Sequence, residues 1–542
     1  MCPVKLNSKS LKSIQGKTLF EYADELSVRV PTSCQRNGEC HECIVEIQKG
    51  FESLNPMTKP EKFLRGNYRL ACQAFLKNQS SNVDFSILRR QPKILTKGQQ
   101  INVKLNPSII RSGDDVIYIS NGSNKVIDKY RGKILGLAID IGTTTVVINL
   151  VNLQSGEILH TTSFENPQRF GGSDVMNRIS YDTGIYHGEL KSVLISSINF
   201  EIKEMVRELK IRRNYIYEVV VVGNTTMRDI FLGLNVESIG VKPYKSLTEF
   251  KQINSEIPHT AITVNAKDTG LRINKNGIVY GAPLISSHLG SDISADLLSI
   301  NFDNQKEPFL LVDIGTNTEV VFGNSGKYLD ASCPAGPAFE GGGVTYAMPG
   351  YSGAIEHIRF NSDASIEYDV IDQKPPIGIC GSGLIDLIAG LIKKGSMNEL
   401  GVLQNNSKEY EFSDINNLTV SRSDLSALAQ AKAANYCGQA ILIKKSGLKI
   451  GEIKNLFLAG GFANYIDIKN AVDIGFIANL DLNKISKIGN ASLVGATIML
   501  LSTDSRRKIE SLTKNIEHIE LETVPEFFDF FVEGCQFKPM DI

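Results

Sequence analysis

Apolar and polar positions along the chain fall into a pattern that occurs twice. Residues 137–148, Leu-Ala-Ile-Asp-Ile-Gly-Thr-Thr-Thr-Val-Val-Ile, predict a buried strand, a tight glycine turn and a second strand. A near copy, Leu-Leu-Val-Asp-Ile-Gly-Thr-Asn-Thr-Glu-Val-Val, occupies 310–321 and aligns with the first without gaps. Each copy continues as a hairpin, the first with strands over 146–153 and 158–164 around a Gln154-Ser155-Gly156-Glu157 turn. The stretch Glu218-Val219-Val220-Val221-Val222 then predicts a parallel strand covered on both faces, and 456–459 repeats the pattern of a strand running into glycine. The first ends in Gly223-Asn224-Thr225-Thr226-Met227, the second in Gly460-Gly461-Phe462-Ala463-Asn464. A long helix is predicted from near Ser423-Asp424, where serine caps and aspartate suits the positive end, to Lys444-Lys445 and a stop at Gly447.

The first 90 residues have a different rhythm. Residues 18–26 predict a short amphipathic helix, and Cys43-Ile44-Val45-Glu46-Ile47 alternates as a strand. Gly16-Lys17-Thr18 has the look of a P-loop, but Leu11 stands where its first glycine belongs, so a turn before the helix is the simpler reading. Residues 91–135 are polar, with Lys97-Gly98-Gln99-Gln100 and Asn121-Gly122-Ser123-Asn124 among short apolar runs. They read as a linker with at most a small subdomain, a tether that lets the preceding domain swing.

Length and charge narrow the classes. At 542 residues the chain exceeds one core and predicts three or four domains. A formal net charge of −1 supplies no field for nucleic acid or anionic lipid, so neither is expected as a partner. Basic runs such as Arg89-Arg90 and Arg506-Arg507-Lys508 are short and read as solvated faces. No stretch approaches the ~18 apolar residues of a membrane span, and the N-terminus lacks the apolar core of a secretory signal. A cytoplasmic location is expected, where thiols stay reduced.

The cysteines therefore need another role. Four of the nine are arranged as Cys34-x5-Cys40-x2-Cys43 with Cys72 further on. Zinc sites also use Cys-x2-Cys, usually as two such pairs, and zinc stays the alternative. Three thiolates on one loop and a distant fourth suit a [2Fe–2S] cluster, and Gly38 lets backbone amides turn towards the sulfurs. His41 lies between two of the cysteines, but the paired Cys-His loops of a Rieske centre are absent. With Arg69-Leu70-Ala71-Cys72-Gln73 around the last cysteine, this segment resembles the plant- and adrenodoxin-type ferredoxin domain, a β-grasp fold. The resemblance implies Cys34, Cys40, Cys43 and Cys72 as iron ligands. Cys2, Cys333, Cys380 and Cys437 show no paired spacing and read as buried thiols, and the seven histidines form no ligand pattern.

A strand that delivers a carboxylate, a glycine and hydroxyls to one turn suits phosphate and metal. The order of strands and turns resembles the acetate and sugar kinase, Hsp70 and actin superfamily (ASKHA). Its two RNase H-like halves close around ATP. That resemblance implies phosphate turns at Asp140, Gly142, Thr143, Thr144 and at Asp313, Gly315, Thr316, Asn317, with an adenosine turn at Gly460-Gly461. It implies ATP/ADP and Mg²⁺ as ligands, with Asp140 and Asp313 organising metal and attacking water. No single general base is identifiable. Met227 and Arg228 read as helix-start residues and Lys432 as a surface lysine.

The expected architecture is a multidomain α/β and α+β chain: a ferredoxin-like domain over 1–90, a linker over 91–135, and RNase H-like parts over 136–300 and 301–542. The pairing of modules, with Asn166-Pro167-Gln168, Gly336-Pro337-Ala338-Phe339-Glu340-Gly341 and Gly378-Ile379-Cys380-Gly381-Ser382-Gly383, resembles the reductive activators of corrinoid proteins over essentially the whole chain. Relatives with C-terminal [4Fe–4S] clusters differ, since Cys535 stands alone here. The resemblance implies an ATP-hydrolysing protein that passes an electron from its cluster to the Co(II) of a partner corrinoid protein, regenerating Co(I). An upstream electron donor and a homodimer are also implied. Other classes stay open: an activator of a dehydratase or radical enzyme, a small-molecule kinase with a redox-sensing domain, or a non-hydrolysing scaffold.

Overall fold

The computed structural model describes residues 3–6, 9–78, 82–88, 101, 103–120, 122–286, 288–315, 317–361 and 365–542. The chain divides into two compact units. The first comprises Met1–Gln91, Asn102–Ala282 and Met499–Asp504, the second Pro92–Ile101, Pro283–Ile498 and Ser505–Ile542.

The first unit opens with a five-stranded mixed sheet. Its order is Lys9–Lys12, Pro3–Leu6, Val83–Ile87, Ile44–Lys49, Tyr68–Leu70, with Val4 opposite Val83 in the parallel pair. The helix Leu19–Glu25 buries Leu19, Phe20, Tyr22 and Ala23. Thr18 caps it, its hydroxyl accepting from the Glu21 amide while the Glu21 carboxylate accepts from the Thr18 amide. Gly16-Lys17-Thr18 thus ends in a helix cap. Sheet and helix together make the expected β-grasp, ferredoxin-type fold.

Of the 91–135 stretch, residues 91–100, including Lys97–Gln100, lie outside the described residues, as do Arg89 and Arg90. Beyond them, Ile109–Ser112, Asp115–Ser120 and Ser123–Lys129 form a three-stranded antiparallel sheet. That sheet is tied down rather than loose: Asp128 accepts from Tyr217 Oη (3.2 Å) and Asn274 Nδ2 (2.9 Å), and Asn276 Nδ2 donates to the Ile127 carbonyl (2.6 Å).

The rest of the first unit is built on a six-stranded sheet. Its order is Ile158–Glu165, Thr145–Asn152, Leu135–Ile141, Ile216–Gly223, Ile278–Gly281, Ile262–Asn265. Ile216–Gly223 is buried at every position, Glu218 included, and runs parallel to Leu135–Ile141, in keeping with its run of four valines. The second unit repeats the plan with Lys327–Cys333, Thr318–Asn324, Phe309–Ile314, Asn455–Ala459 and Ile485–Gly489 in adjacent order. In both sheets an antiparallel hairpin feeds a central strand, and parallel strands complete the other side. This is the duplicated RNase H-like, ASKHA-type architecture. The helix Ser291–Ser299 belongs to the second unit, where Ser492 Oγ donates to Asp296 (2.9 Å).

The long helix spans Arg422–Ser446 and ends at Gly447 in a left-handed conformation. Its cap is Ser421 rather than Ser423, in a capping box with Asp424. Lys432 corrects the expectation of a surface lysine. It is fully buried, its Nζ donating to the Gln536 carbonyl (2.8 Å) and lying over the rings of Tyr436 and Phe537. The C-terminal segment through Gln536 and Phe537 covers the helix face there, which the helix's own sequence does not disclose. Among the described residues no helix is long and apolar enough to cross a membrane.

Burial pushes Lys432 down to about 7 from its ordinary 10.5. Between those values the unfolded chain binds the proton and the folded chain does not, so folding stability gains as pH rises across that window. Thermal or urea unfolding from pH 7 to 10 is expected to show wild type gaining a few kcal/mol relative to Lys432→Met, whose site does not titrate. Parallel curves for the two proteins would contradict the buried-lysine assignment.

Candidate functional site

The four cysteines come together at one end of the five-stranded sheet. Cys43 precedes the strand Ile44–Lys49, Cys72 follows Tyr68–Leu70, and their Sγ atoms lie 3.4 Å apart. Cys34 and Cys40 sit on the more exposed loop and hydrogen-bond to each other. Although burial pushes the Cys34 thiol up, amides of Cys40, Gly38 and Asn37 hold it down at about 6. Its hydrogen bond with Cys43 lowers Cys72 to about 7, while the same contact and burial push Cys43 up. Gly38 has φ +88°, and a side chain there would press on Pro60 and Gln73 at 3.0 Å, so the loop needs glycine at that place.

A buried ion pair fixes the last cysteine. Arg69 and Glu61 are both 0 % exposed, and the guanidinium meets both carboxylate oxygens at 2.7 and 3.0 Å. Glu61 also accepts from the Leu70 amide (3.0 Å), and the Ala71 amide donates to the Cys43 carbonyl (2.8 Å). His41 turns away from the sulfurs. Its ring stacks on Phe63 at 4.1 Å and its Nδ1 lies 2.9 Å from Glu189 Oε2. Phe63 meets Phe170 edge-on at 5.4 Å, so the cysteine loop abuts the 166–172 loop of the same unit.

That loop supports the first aspartate turn. Asp140 is the next-to-last residue of the central strand Leu135–Ile141, and the Gly142 amide donates to the Thr145 carbonyl (2.9 Å). Asn166 Nδ2 donates to the Gly142 carbonyl (2.9 Å) and Asn224 Nδ2 to Thr143 Oγ1 (3.0 Å). Met227 and Arg228 lie in the helix Thr225–Leu232, as read, but both are buried; Arg228 pairs with Asp229 and donates to the carbonyls of Thr260 and Ala282.

In the second unit, Asp313, Gly315 and Asn317 occupy the equivalent turn, where the Gly315 amide donates to the Asn317 carbonyl (3.0 Å). Thr316 lies outside the described residues. The neighbouring parallel strand Asn455–Ala459 brings Gly460-Gly461 alongside, with Ala459 in register with Asp313. A Cβ on Gly460 would sit 2.8 Å from Asp313 Oδ1 and 2.3 Å from the Ile314 carbonyl, and its φ is +98°. Only glycine allows the two turns to meet there. The carboxyl ends of adjacent parallel strands are where such sheets bind ligands.

Sequence reasoning missed the carboxylates around Asp313. Asp296 of the helix Ser291–Ser299 is fully buried, and Glu319 lies directly across the hairpin from Asp313. Burial and the facing Asp313 raise Asp296 well above the carboxylate range, and burial raises Glu319 likewise. Burial also lifts Asp313 to about 6, and the Asp296 carboxyl hydrogen-bonds to it. One signal was available: valine faces Asp140 at position 147, whereas a glutamate faces Asp313. Cys380 is buried at the start of the helix Gly381–Lys393, its thiol 3.3 Å from Ser382 Oγ.

An iron–sulfur domain joined to an ASKHA fold defines the class. Comparison with known families gives three consecutive matches: a 2Fe-2S iron-sulfur cluster binding domain over 4–77, the RACo middle region over 135–305, and the C-terminal ASKHA domain of RACo over 307–542. The chain is 32% identical to the corrinoid activation enzyme RamQ of Eubacterium limosum, over 78% of this chain and 75% of that protein. It is 23% identical to the [Co(II) methylated amine-specific corrinoid protein] reductase of Methanosarcina barkeri, over 73% of this chain and 76% of that one. A solved structure of a reductive activator for corrinoid, iron-sulfur protein superposes with TM-score 0.71 at 27% identity, covering 100% of this chain and 99% of that one. The chain belongs to the RACo family.

Glu61→Leu is expected to destabilise the cluster domain by about 3–5 kcal/mol, because it strands the Arg69 charge in the interior. Urea unfolding followed by iron–sulfur absorbance measures this, and a midpoint within error of wild type would show that the pair does not hold the Cys72 segment.

Proposed function

We propose that this chain is an ATP-dependent reductive activator. It passes an electron from a [2Fe–2S] cluster held by Cys34, Cys40, Cys43 and Cys72 to the Co(II) corrinoid of a partner methyl-transfer protein, regenerating Co(I). The observation that carries this reading is the union of an iron–sulfur domain and an ASKHA domain in one chain, matched end to end by a corrinoid reductive activator. The names of RamQ and of the corrinoid protein reductase agree with it. Two thiol pairs, one more exposed than the other, favour a two-iron cluster over a single zinc ion. When bound, such a cluster supplies one electron at low potential, near ~−400 mV for plant-type centres.

Nucleotide binds in the second unit with Asp313, Gly315, Thr316 and Asn317 at its phosphates and Gly460-Gly461 at its adenosine. The side-by-side packing of those turns supports this placement. In the first unit, Asp140, Gly142, Thr143 and Thr144 form a phosphate-binding turn. Among the described residues no three His, Cys, Asp or Glu side chains converge tightly enough to take one ion. Asp140 in the first unit and Asp313 in the second are each the carboxylate of their turn that acts on Mg²⁺ through water and on the attacking water. An upstream donor refills the cluster, and the protein works as a homodimer in the cytoplasm.

ATP is needed because the electron runs uphill. Each ~59 mV is a factor of ten for one electron, so a gap of about 100 mV costs about 2 kcal/mol. Nucleotide-driven switching supplies that order of energy, since moving a two-state balance from 1:99 to 99:1 takes ~5.5 kcal/mol.

Anaerobic stopped-flow reduction of a Co(II) corrinoid protein is expected to yield Co(I) with ATP and little without it at the same donor potential. Asp313→Asn is expected to lose the ATP-dependent part by at least about tenfold, consistent with loss of a charged ligand contact of ~1.5–3 kcal/mol. Equal Co(I) yields with and without ATP would overturn coupling, and a phosphorylated metabolite formed without any corrinoid partner would indicate a kinase instead.

A further inference from the structure

Behind the Asp140 turn lies a charge that none of the roles above uses. Arg178, in the helix Val175–Asp182, is 0 % exposed, and all its partners are neutral. Its Nη2 donates to the Thr143 carbonyl (2.7 Å), its Nε to the Gly172 carbonyl (3.1 Å), and its Nη1 to Met227 Sδ (3.1 Å) and Gln168 Oε1 (3.5 Å). Among the described residues no carboxylate pairs with it. Fully buried charges are ordinarily paired, because an isolated one costs far more than a hydrogen bond returns. The other interior arginines of the unit obey that rule, Arg69 with Glu61 and Arg228 with Asp229.

The turn in front of Arg178 is built to present amides. The carbonyls of Gly142, Thr143 and Thr144 are held from behind by Asn166 Nδ2 (2.9 Å), Arg178 Nη2 (2.7 Å) and the Asn166 amide (2.8 Å). In a planar trans peptide the N–H points opposite its carbonyl. Pinning the Gly142 and Thr143 carbonyls therefore aims the Thr143 amide away from Asn166 Nδ2 and the Thr144 amide away from Arg178. Successive amides turned one way form an anion-binding concavity. Asn224 completes the frame, binding Thr143 Oγ1 and capping the helix Thr225–Leu232.

We propose that Arg178 is a positioning residue for phosphate: its buried guanidinium orients the 142–144 turn and supplies the positive charge that the terminal phosphates of a nucleoside triphosphate neutralise. This deepens the nucleotide assignment of the Asp140 turn and rests on it. Arg178 touches the Thr143 carbonyl and not the ligand, so its effect travels through the turn and through charge. Burial lowers the guanidinium to about 9, which still leaves it charged at neutral pH. On the loop that carries Asn166 and Gln168, Arg169 pairs with Glu165.

The experiment is calorimetric titration of the holoprotein with ATP, ADP and AMP, for wild type, Arg178→Gln and Arg178→Lys. Arg178→Gln is expected to weaken ATP about 10- to 100-fold, ADP less and AMP least, and Arg178→Lys to recover much of the loss. A purely structural arginine would weaken all three ligands alike and would not be rescued by charge; that outcome overturns the proposal, as does unchanged ATP affinity in Arg178→Gln. Absence of ATP binding by wild type would instead overturn the nucleotide assignment itself. Should Arg178→Gln not fold, two measurements decide. Inorganic tripolyphosphate is expected to raise the melting temperature of wild type more than that of Arg178→Lys; equal stabilisation of the two overturns the proposal, and no stabilisation of wild type overturns the nucleotide assignment.

Discussion

Both halves of the ASKHA region depend on one constraint: a strand buried on both faces must satisfy its whole backbone through its neighbours. Leu135–Ile141 and Phe309–Ile314 meet it identically, with an antiparallel hairpin partner on one edge and a parallel strand on the other. Within these two strands the charged residue comes at the end, where the strand reaches its turn. That is where Asp140 and Asp313 stand, each followed by the glycine that turns the chain. The carboxylate, the turn and the later Gly460 loop are consequences of a strand that has nowhere else to place polarity.

In the first unit the same economy extends to the cysteine domain. The Cys72 segment hangs from the buried Arg69–Glu61 pair, and the cysteine loop touches the 166–172 loop through His41, Phe63 and Phe170. That loop contributes Asn166 and Gln168 to the support of the Asp140 turn. The cysteine-bearing segment and the loop that supports the Asp140 turn therefore share a packed interior within one unit.

Taken alone, each module is permissive. Asp-x-Gly-Thr turns on duplicated RNase H-like sheets serve kinases as readily as motors, and ferredoxin domains feed many acceptors. The joining of the two restricts the chemistry to electron transfer that needs nucleotide energy, and the relatives of known name lie in corrinoid activation. The buried carboxylates about Asp313 set this turn apart from that of Asp140: burial lifts Asp313 to about 6, and burial together with Asp313 raises Asp296 as well.

Features that depend on near neighbours in sequence were legible from sequence. The cysteine spacing, the repeated Asp-Ile-Gly-Thr turns, the apolar runs that became central strands and the long helix with its glycine stop are all local, since periodicity and turn chemistry act over a few residues. Other features were not legible because they join distant segments. Lys432 reads as an ordinary helix lysine until the C-terminal chain covers it, and Asp296 reads as a helix aspartate until the strand of Asp313 packs against it. Nothing in the order of residues pairs Glu61 with Arg69 or marks Arg178 as buried. In each case the deciding quantity is burial, which sets whether a charge is solvated or must find its partner inside. Sequence by itself determined where the cysteine motif, the two Asp-Ile-Gly-Thr turns and the Gly460-Gly461 turn fall along the chain. Only the tertiary structure decided which charges lie buried behind them, because desolvation is a property of the assembled interior and leaves no mark on the order of residues.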